Sequence, residues 1–269
     1  MSKAKEFLAL HRAPAPLLVL PNAWDAGSAK IVVSLGFAAV ATTSSGHAAT
    51  LGRPDGAVGR ELALAHARML VEAVDVPVSA DLENCFADEP DAVADTIRAA
   101  LALGLAGASV EDFTGRRDAP IYDLALAADR VRAAAEAAHA GGDGSLVLTA
   151  RAENHLHDRA DLADTIARLR AFQEAGADVV YAPGLSSADE IRAVVSSVDA
   201  PVNVLAMAGV PPVPELAELG VRRVSVGGSF AFAAYGGLVA AGRELLESGT
   251  YGYREAARVG QQAASASWS

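Results

Sequence analysis

At 269 residues, 52% hydrophobic and 20% charged, the chain is long enough for one large α/β domain and too apolar for a disordered one. A net charge of −11 with no Lys/Arg cluster argues against a nucleic-acid partner, and one cysteine excludes an internal disulfide and suits a reducing cytoplasm. No run approaches the ~20 apolar residues of a membrane span, and "MSKAKEFLALHRAPAP" lacks a signal-peptide core, so a cytoplasmic protein without a membrane partner is expected.

In chain order, short runs rich in β-branched residues alternate with segments of helical period. Strands are predicted for "LLVL" (17–20), "FAAVATT" (37–43), "VPVSADLE" (76–83) and "GASVED" (107–112). Four more follow in "SLVLTAR" (145–151), "DVVYA" (178–182), "PVNVL" (201–205) and "RRVSVGG" (222–228). Between them, "DAVADTIRAALALG" sets Val93, Ile97 and Leu101 on one helical face. "DLADTIARLRAFQEAG" repeats the pattern and stops at Gly176, a C-cap signal. Parallel strands covered on both faces read as near-continuous apolar runs. Eight β/α units therefore predict a single (β/α)8 barrel spanning residues 1–269. A doubly wound open sheet is the alternative, but no G-x-G-x-x-G turn follows the first strand. After Gly249, "TYGYREAARVGQQAASASWS" predicts one further helix and a frayed end. An extra terminal helix of this kind often packs on a neighbouring subunit, so an oligomer is expected.

Barrel active sites gather at the C-terminal ends of the strands. Those ends carry Asn22, Trp24 and Asp25; Thr43, Ser44 and Ser45; Asp81 and Glu83; Glu111 and Asp112; Arg151, Glu153 and Asn154; then Tyr181, Asn203 and Gly227–Ser229. Asp81 and Glu83, two apart on one strand, share a face, and Glu111 ends the neighbouring strand. Carboxylates so placed repel unless a cation sits among them. Oxygen donors without a His/Cys grouping suit a hard divalent ion, Mg²⁺ or Mn²⁺. The alternative is that Asp81 and Glu83 cap the following helix or pair with Arg151. The planar fork of Arg151 suits a substrate carboxylate or phosphonate, or else a salt bridge to Glu153 or Glu111.

Other chemistries drop out. Lys3, Lys5 and Lys30 are the only lysines and none lies on a predicted strand, which excludes a Schiff-base aldolase. Neither a nucleophile elbow nor zinc spacing is present. "SVGGSF" could hold a phosphate or simply form a tight strand-to-helix turn. His47, His155 and His157 could carry protons or be solvated, and Trp24 could close the pocket or pack.

The motifs "LPNAWDAGSAKI", "ATTSSGHAATLGRPDG", "VPVSADLENCF", "GASVEDFTG", "LTARAEN", "FQEAGADVVYAPG" and "RRVSVGGSFAFAAYG", in this order over nearly the whole chain, resemble the isocitrate lyase/phosphoenolpyruvate mutase superfamily. The likeness is to its phosphonomutase-like branch. The resemblance implies a (β/α)8 barrel with Mg²⁺ near Asp81, Glu83 and Glu111, partly through water, and Asp55 as a further carboxylate of the site. It implies a Thr43–Ser44–Ser45 loop that holds the substrate carboxylate, Arg151 as the group that neutralises substrate or enolate, and tetramers that exchange the terminal helix. Asn203 is a further substrate-binding candidate at its strand end.

In this family a 2-oxo acid chelates the metal, and cleavage of the adjacent C–C or P–C bond leaves an enolate that Mg²⁺ and Arg151 stabilise. The sequence departs from the pattern after the fourth strand. There "FTGRRDAPIYD" lacks the cysteine of the lyases and the lysine and asparagine of the mutase and hydrolase branches. Arg116, Arg117 and Tyr122 could reach inward from this loop or face solvent. Cys85 stands near the carboxylates, whose charge opposes thiolate formation, and is read as a bystander. The expectation is a C–C lyase or decarboxylase acting beside a 2-oxo acid group. P–C chemistry on phosphonopyruvate, or a non-catalytic 2-oxo acid binder, is the alternative.

Overall fold

The computed structural model describes residues 1–12, 16–142 and 145–268; the final residue of the expected frayed end lies outside them. The strands are β1 (Leu18–Leu20), β2 (Asn22–Ala23), β3 (Val40–Thr42), β4 (Val78–Asp81) and β5 (Gly107–Glu111), then β6 (Val147–Arg151), β7 (Val179–Tyr181), β8 (Val202–Leu205) and β9 (Arg223–Ser225). They pair in parallel in the order β1-β9-β8-β7-β6-β5-β4-β3-β2. The two ends of that order are one strand. β1 and β2 are separated only by Pro21, which has no N–H to give to the ladder. The sheet thus closes as a (β/α)8 barrel. Asn22 stitches the interruption: its Nδ2 donates to Thr42 O (2.7 Å) and its Oδ1 accepts from the Val226 and Gly227 N–H groups (3.0 and 2.9 Å).

The helices are α1 (Lys3–Leu10), α2 (Ala26–Ser34), α3 (Ser44–Thr50), α4 (Arg60–Ala73), α5 (Pro90–Ala102) and α6 (Leu124–His139). They continue with α7 (Leu162–Glu174), α8 (Ala188–Val195), α9 (Val213–Glu218), α10 (Ser229–Glu247) and α11 (Arg254–Ser267). As the spacing predicts, α5 buries Val93 and Ile97, and α7 ends just before Gly176, which takes φ +106°. Between helices and sheet lies a core that includes Leu148, Leu169 and Ile191, all fully buried. Each such side chain contributes about 1.5–3 kcal/mol. α1 was not expected from the pattern, since Phe7 is its only buried residue. It carries Phe7 into the N-terminal end of the barrel, among Leu18, Leu20, Val147 and Val179. Position 107 must be glycine, because a Cβ there would lie 2.6 Å from the Phe7 ring.

Alternate strand residues face the interior. One register row runs inward across five strands: Glu111, Arg151, Tyr181, Asn203 and Arg223. Glu111, Arg151 and Tyr181 end their strands, whereas Arg223 begins its own, because barrel strands tilt. The row therefore descends from the mouth to a floor where Arg223 pairs with Leu18. Barrel interiors are ordinarily filled by branched apolar side chains. Here Ser79, Ser109, Thr149 and Ser225 leave a cavity of about 190 Å³ at the C-terminal ends of the strands.

At the other extreme of the chain, α10 buries only Ala231 and exposes Phe230, Phe232, Leu238, Val239 and Leu246. α11 packs chiefly on α2 of the same chain. No helix among the described residues is long and apolar enough to cross a membrane.

Candidate active site

β4 delivers Asp81 to the mouth after the apolar and small residues Val78, Ser79 and Ala80. The Asp81 N–H donates to Thr42 Oγ1 (2.7 Å), and its Oδ2 accepts from the Ser44 N–H (3.0 Å). Burial pushes the Asp81 carboxyl up, but Arg151 and the Ser44 N–H outweigh it and hold the group below the usual carboxylate range. The turn that follows places Glu83, Cys85 and Phe86 at φ of +50°, +59° and +60°. Left-handed backbone without glycine costs on the order of 1 kcal/mol per residue. Arg130 of α6 pins it: buried, it donates to the carbonyls of Asn84 (2.5 Å), Ala87 (3.0 Å) and Glu111 (3.0 Å). Strain so held commonly marks a working site.

Arg151, at the end of β6, stands between three carboxylates. Its Nη1 lies 2.9 Å from Asp81 Oδ1, its Nη2 3.0 Å from Glu111 Oε2, and its Nε 2.8 Å from Glu153 Oε1. Burial works against the charge, yet the three carboxylates more than offset it. Glu111, deeply buried, is pushed well up by burial although Arg151 opposes the shift. Glu153 is itself held, its N–H donating to Asp112 Oδ1 (2.8 Å) while Arg168 pairs with Asp112 Oδ2 (3.0 Å). Arg151 makes the ion pairs of the structural alternative, to Glu111 and Glu153, and it also lines the cavity.

Asp55, Asp81, Thr43, Ser44, Ser45 and Asn203 also line that cavity. Thr43 caps α3, its Oγ1 accepting from the Gly46 N–H (3.2 Å) and meeting Ser45 Oγ (3.2 Å). Partial loss of solvent and then the Asp81 charge push the Asp55 carboxyl up, while the Ser44 hydroxyl opposes the shift. Asn203 is committed at both ends, to Ser225 Oγ (2.9 Å) and to Arg223 Nε (2.9 Å).

Glu83 and Glu111 do not line the cavity. Burial, then Asp81 and Asp55, push the Glu83 carboxyl up to about 8. Among the described residues, no three His, Cys, Asp or Glu side chains stand at direct metal-binding spacing. The donor set is nonetheless that of a hard cation: oxygen only, and mutually repelling. It fits Mg²⁺, which retains waters and takes one or two protein carboxylates, better than an ion that needs a full protein cage.

Several sequence candidates lie elsewhere. Cys85 is fully buried and its thiol is pushed up to about 12, chiefly by burial. Trp24 is off the cavity, its carbonyl bonded to His66 Nε2 (3.0 Å), and Asp25 caps α2. His47 stacks on His66 at 3.9 Å, and His157 stacks on Phe113 at 3.9 Å. Arg116 and Tyr122 both bond to Asp88 and Arg117 is exposed, so none of the three reaches the cavity. Gly227 and Gly228 do line it. Two residues that sequence reading passed over matter most: Arg130 beneath the strained turn, and Arg223 at the floor.

Fold and site together define a (β/α)8 barrel with an arginine–carboxylate cluster at its mouth. The chain belongs to the phosphoenolpyruvate phosphomutase family, whose model matches residues 7–246. It is 50% identical to a Burkholderia cenocepacia J2315 protein of known crystal structure, described as a lyase/mutase, with a TM-score of 0.91 over 94% of this chain and 91% of that one. It is also 28% identical to the 2-methylisocitrate lyase of Bacillus subtilis (strain 168), over 74% of this chain and 65% of the lyase. A phosphonopyruvate hydrolase solved with oxalate and Mg²⁺ shares the fold, with a TM-score of 0.84 at 23% identity, over 96% of this chain and 91% of that one.

Proposed function

We propose that this chain is a Mg²⁺-dependent enzyme that breaks or forms a C–C bond beside a 2-oxo acid group through an enolate, as a lyase or decarboxylase does. The observation that carries the reading is Arg151, held from three sides by carboxylates while it lines the cavity. Mg²⁺, held by Asp81 and, through water, by Glu83 and Glu111, would supply Lewis-acid polarisation of the substrate oxygens. Three of the five guanidinium N–H donors of Arg151 are engaged by carboxylates. The remaining two meet the oxygen on which negative charge develops, and the ion pairs fix them in advance, so little reorganisation accompanies reaction. Ser44 gives its N–H to Asp81. The Ser45 N–H, in the first turn of α3 and without an intrahelical acceptor, and the Thr43 and Ser45 hydroxyls receive the substrate carboxylate. Asp55 stands at the mouth to take and return a proton.

A panel of 2-oxo and 2-hydroxy dicarboxylic acids tests this. Release of pyruvate, glyoxylate or carbon dioxide is expected with Mg²⁺, and it stops with EDTA and in Asp81→Ala. Binding without turnover across the panel would make the protein a metabolite binder instead. We propose further that the exposed apolar face of α10, with α11, mediates self-association into a dimer or tetramer. Light scattering should show more than one subunit.

A further inference from the structure

Below the Arg151 cluster lies a second buried guanidinium that the reaction above does not use. Arg223 is 4% exposed and lines the cavity. Its Nε donates to Asn203 Oδ1 (2.9 Å), and its Nη1 lies 3.1 Å from Thr149 Oγ1 and 3.2 Å from His11 Nε2. His11 Nδ1 lies 2.7 Å from Phe7 O and therefore donates there, which leaves Nε2 as a neutral acceptor. Burial and then Arg223 lower the His11 pKa to about 3, so the imidazole stays uncharged. Every partner of Arg223 is thus neutral, and no Asp or Glu pairs with it among the described residues. Its own pKa falls, chiefly through burial, only to about 10, so the cation persists. Buried charges are ordinarily paired. Here Nη2 has no hydrogen-bond partner among the described residues, and Ser79, Ser109 and Ser225, the last already accepting from Asn203 Nδ2 (2.9 Å), line the same cavity.

We propose that this floor is an anion subsite in which Arg223, with the surrounding hydroxyls, receives the distal carboxylate of a dicarboxylic 2-oxo acid whose reacting end lies at the Arg151 mouth. The inference rests on the enolate reading of that mouth. A planar, singly charged carboxylate matches one guanidinium with hydroxyls in a cavity of about 190 Å³. A phosphonate dianion would need more donors. Arg223 is accordingly a determinant of specificity for diacids over monoacids.

The test is calorimetry in Mg²⁺ with oxalate, pyruvate and oxaloacetate, on wild type and Arg223→Met. Wild type is expected to bind oxaloacetate at least about tenfold more tightly than pyruvate. Arg223→Met should lose that advantage while its affinities for oxalate and pyruvate stay within about twofold. Arg223→Lys should recover part of it. If Arg223→Met does not fold, Arg223→Gln, which retains hydrogen-bonding capacity without charge, carries the same expectation. Unchanged oxaloacetate affinity in the uncharged variant, with oxalate still bound, would overturn the subsite and leave the enolate reading standing. Failure of wild type to bind oxalate would overturn the enolate reading and this inference with it. Tighter binding of phosphonopyruvate than of oxaloacetate would overturn the carboxylate assignment.

Discussion

Arg151 and Arg223 occupy the same inward row of the barrel, yet their surroundings are opposite. Arg151 meets Asp81, Glu111 and Glu153, with Asp55 and Glu83 close by, so the mouth crowds five carboxyl groups around one guanidinium. Arg223 meets an amide, a hydroxyl and a neutral imidazole, so among the described residues the floor carries a cation without a counter-charge. Each end is electrostatically incomplete in a different sense. A small diacid bound with a divalent cation complements both at once: the metal serves the acidic mouth and the far carboxylate serves the floor. The two arginines are not interchangeable parts of one polar core, and substitutions should separate them.

The largest effect is expected at the mouth. Asp81→Ala removes a proposed metal ligand and one partner of Arg151, and turnover should fall by about 10⁴-fold or more in a steady-state assay of whichever diacid is cleaved. Arg151→Met should destabilise the fold by about 3–5 kcal/mol in urea titrations at pH 7, because buried Glu111 and Glu153 lose their cation. That loss should shrink toward pH 5, since the Glu111 carboxyl, raised by burial, keeps a proton in the folded state that the unfolded chain gives up.

In the wild type two buried histidines contribute in the reverse sense, against Glu83 and Glu111, whose carboxyls burial raises. His11 and His66 are neutral when folded, burial being the first cause in each, with pKa values of about 3 and about 4 against an ordinary 6.5. Their stabilisation is complete above pH 6.5 and is lost as pH falls toward those folded values, as unfolded imidazoles take up protons first. The stability difference between wild type and His66→Gln in urea unfolding should fall by about 1–2 kcal/mol from pH 7 to pH 5.

Arg223→Met sharpens the contrast, because it orphans only neutral groups while removing a desolvated charge. Its cost should be about 1 kcal/mol, far below that of Arg151→Met. Smallest of all is Cys85→Ala. Turnover should stay within about twofold, and the native thiol, fully buried and raised to about 12, should resist alkylation.

The barrel was legible because buried parallel strands and amphipathic helices leave different periods. Residues 76–83 contain β4 (Val78–Asp81), and residues 145–151 contain β6 (Val147–Arg151). The overshoot reflects flanking residues such as Val76, Leu82 and Leu146, which stay apolar outside the ladder. The break at Pro21 and the helix α1 were less visible, one being a local loss of a donor and the other a short helix with a single buried residue.

At the site, acidic residues and Arg151 announced themselves by ending apolar strands. Arg223 did not: beside Arg222 at the start of "RRVSVGG" it reads as a solvated strand entry. Only its alternation with Ser225 and register with Asn203 reveal an inward position. Arg130 looks like an ordinary helical arginine in "DRVRAAAEAA", and its role arises from carbonyls brought near by the fold. The left-handed turn at Glu83, Cys85 and Phe86 contains no glycine to signal it.

The central claim, a metal-dependent enolate site at the Asp81–Arg151 mouth, is tested most directly by calorimetric titration of oxalate, an enolate mimic, with and without Mg²⁺, in wild type and Asp81→Ala. The account predicts binding to wild type only with Mg²⁺ and none to the variant. Oxalate binding that is indifferent to Mg²⁺ and to Asp81, or absent from wild type altogether, would contradict it.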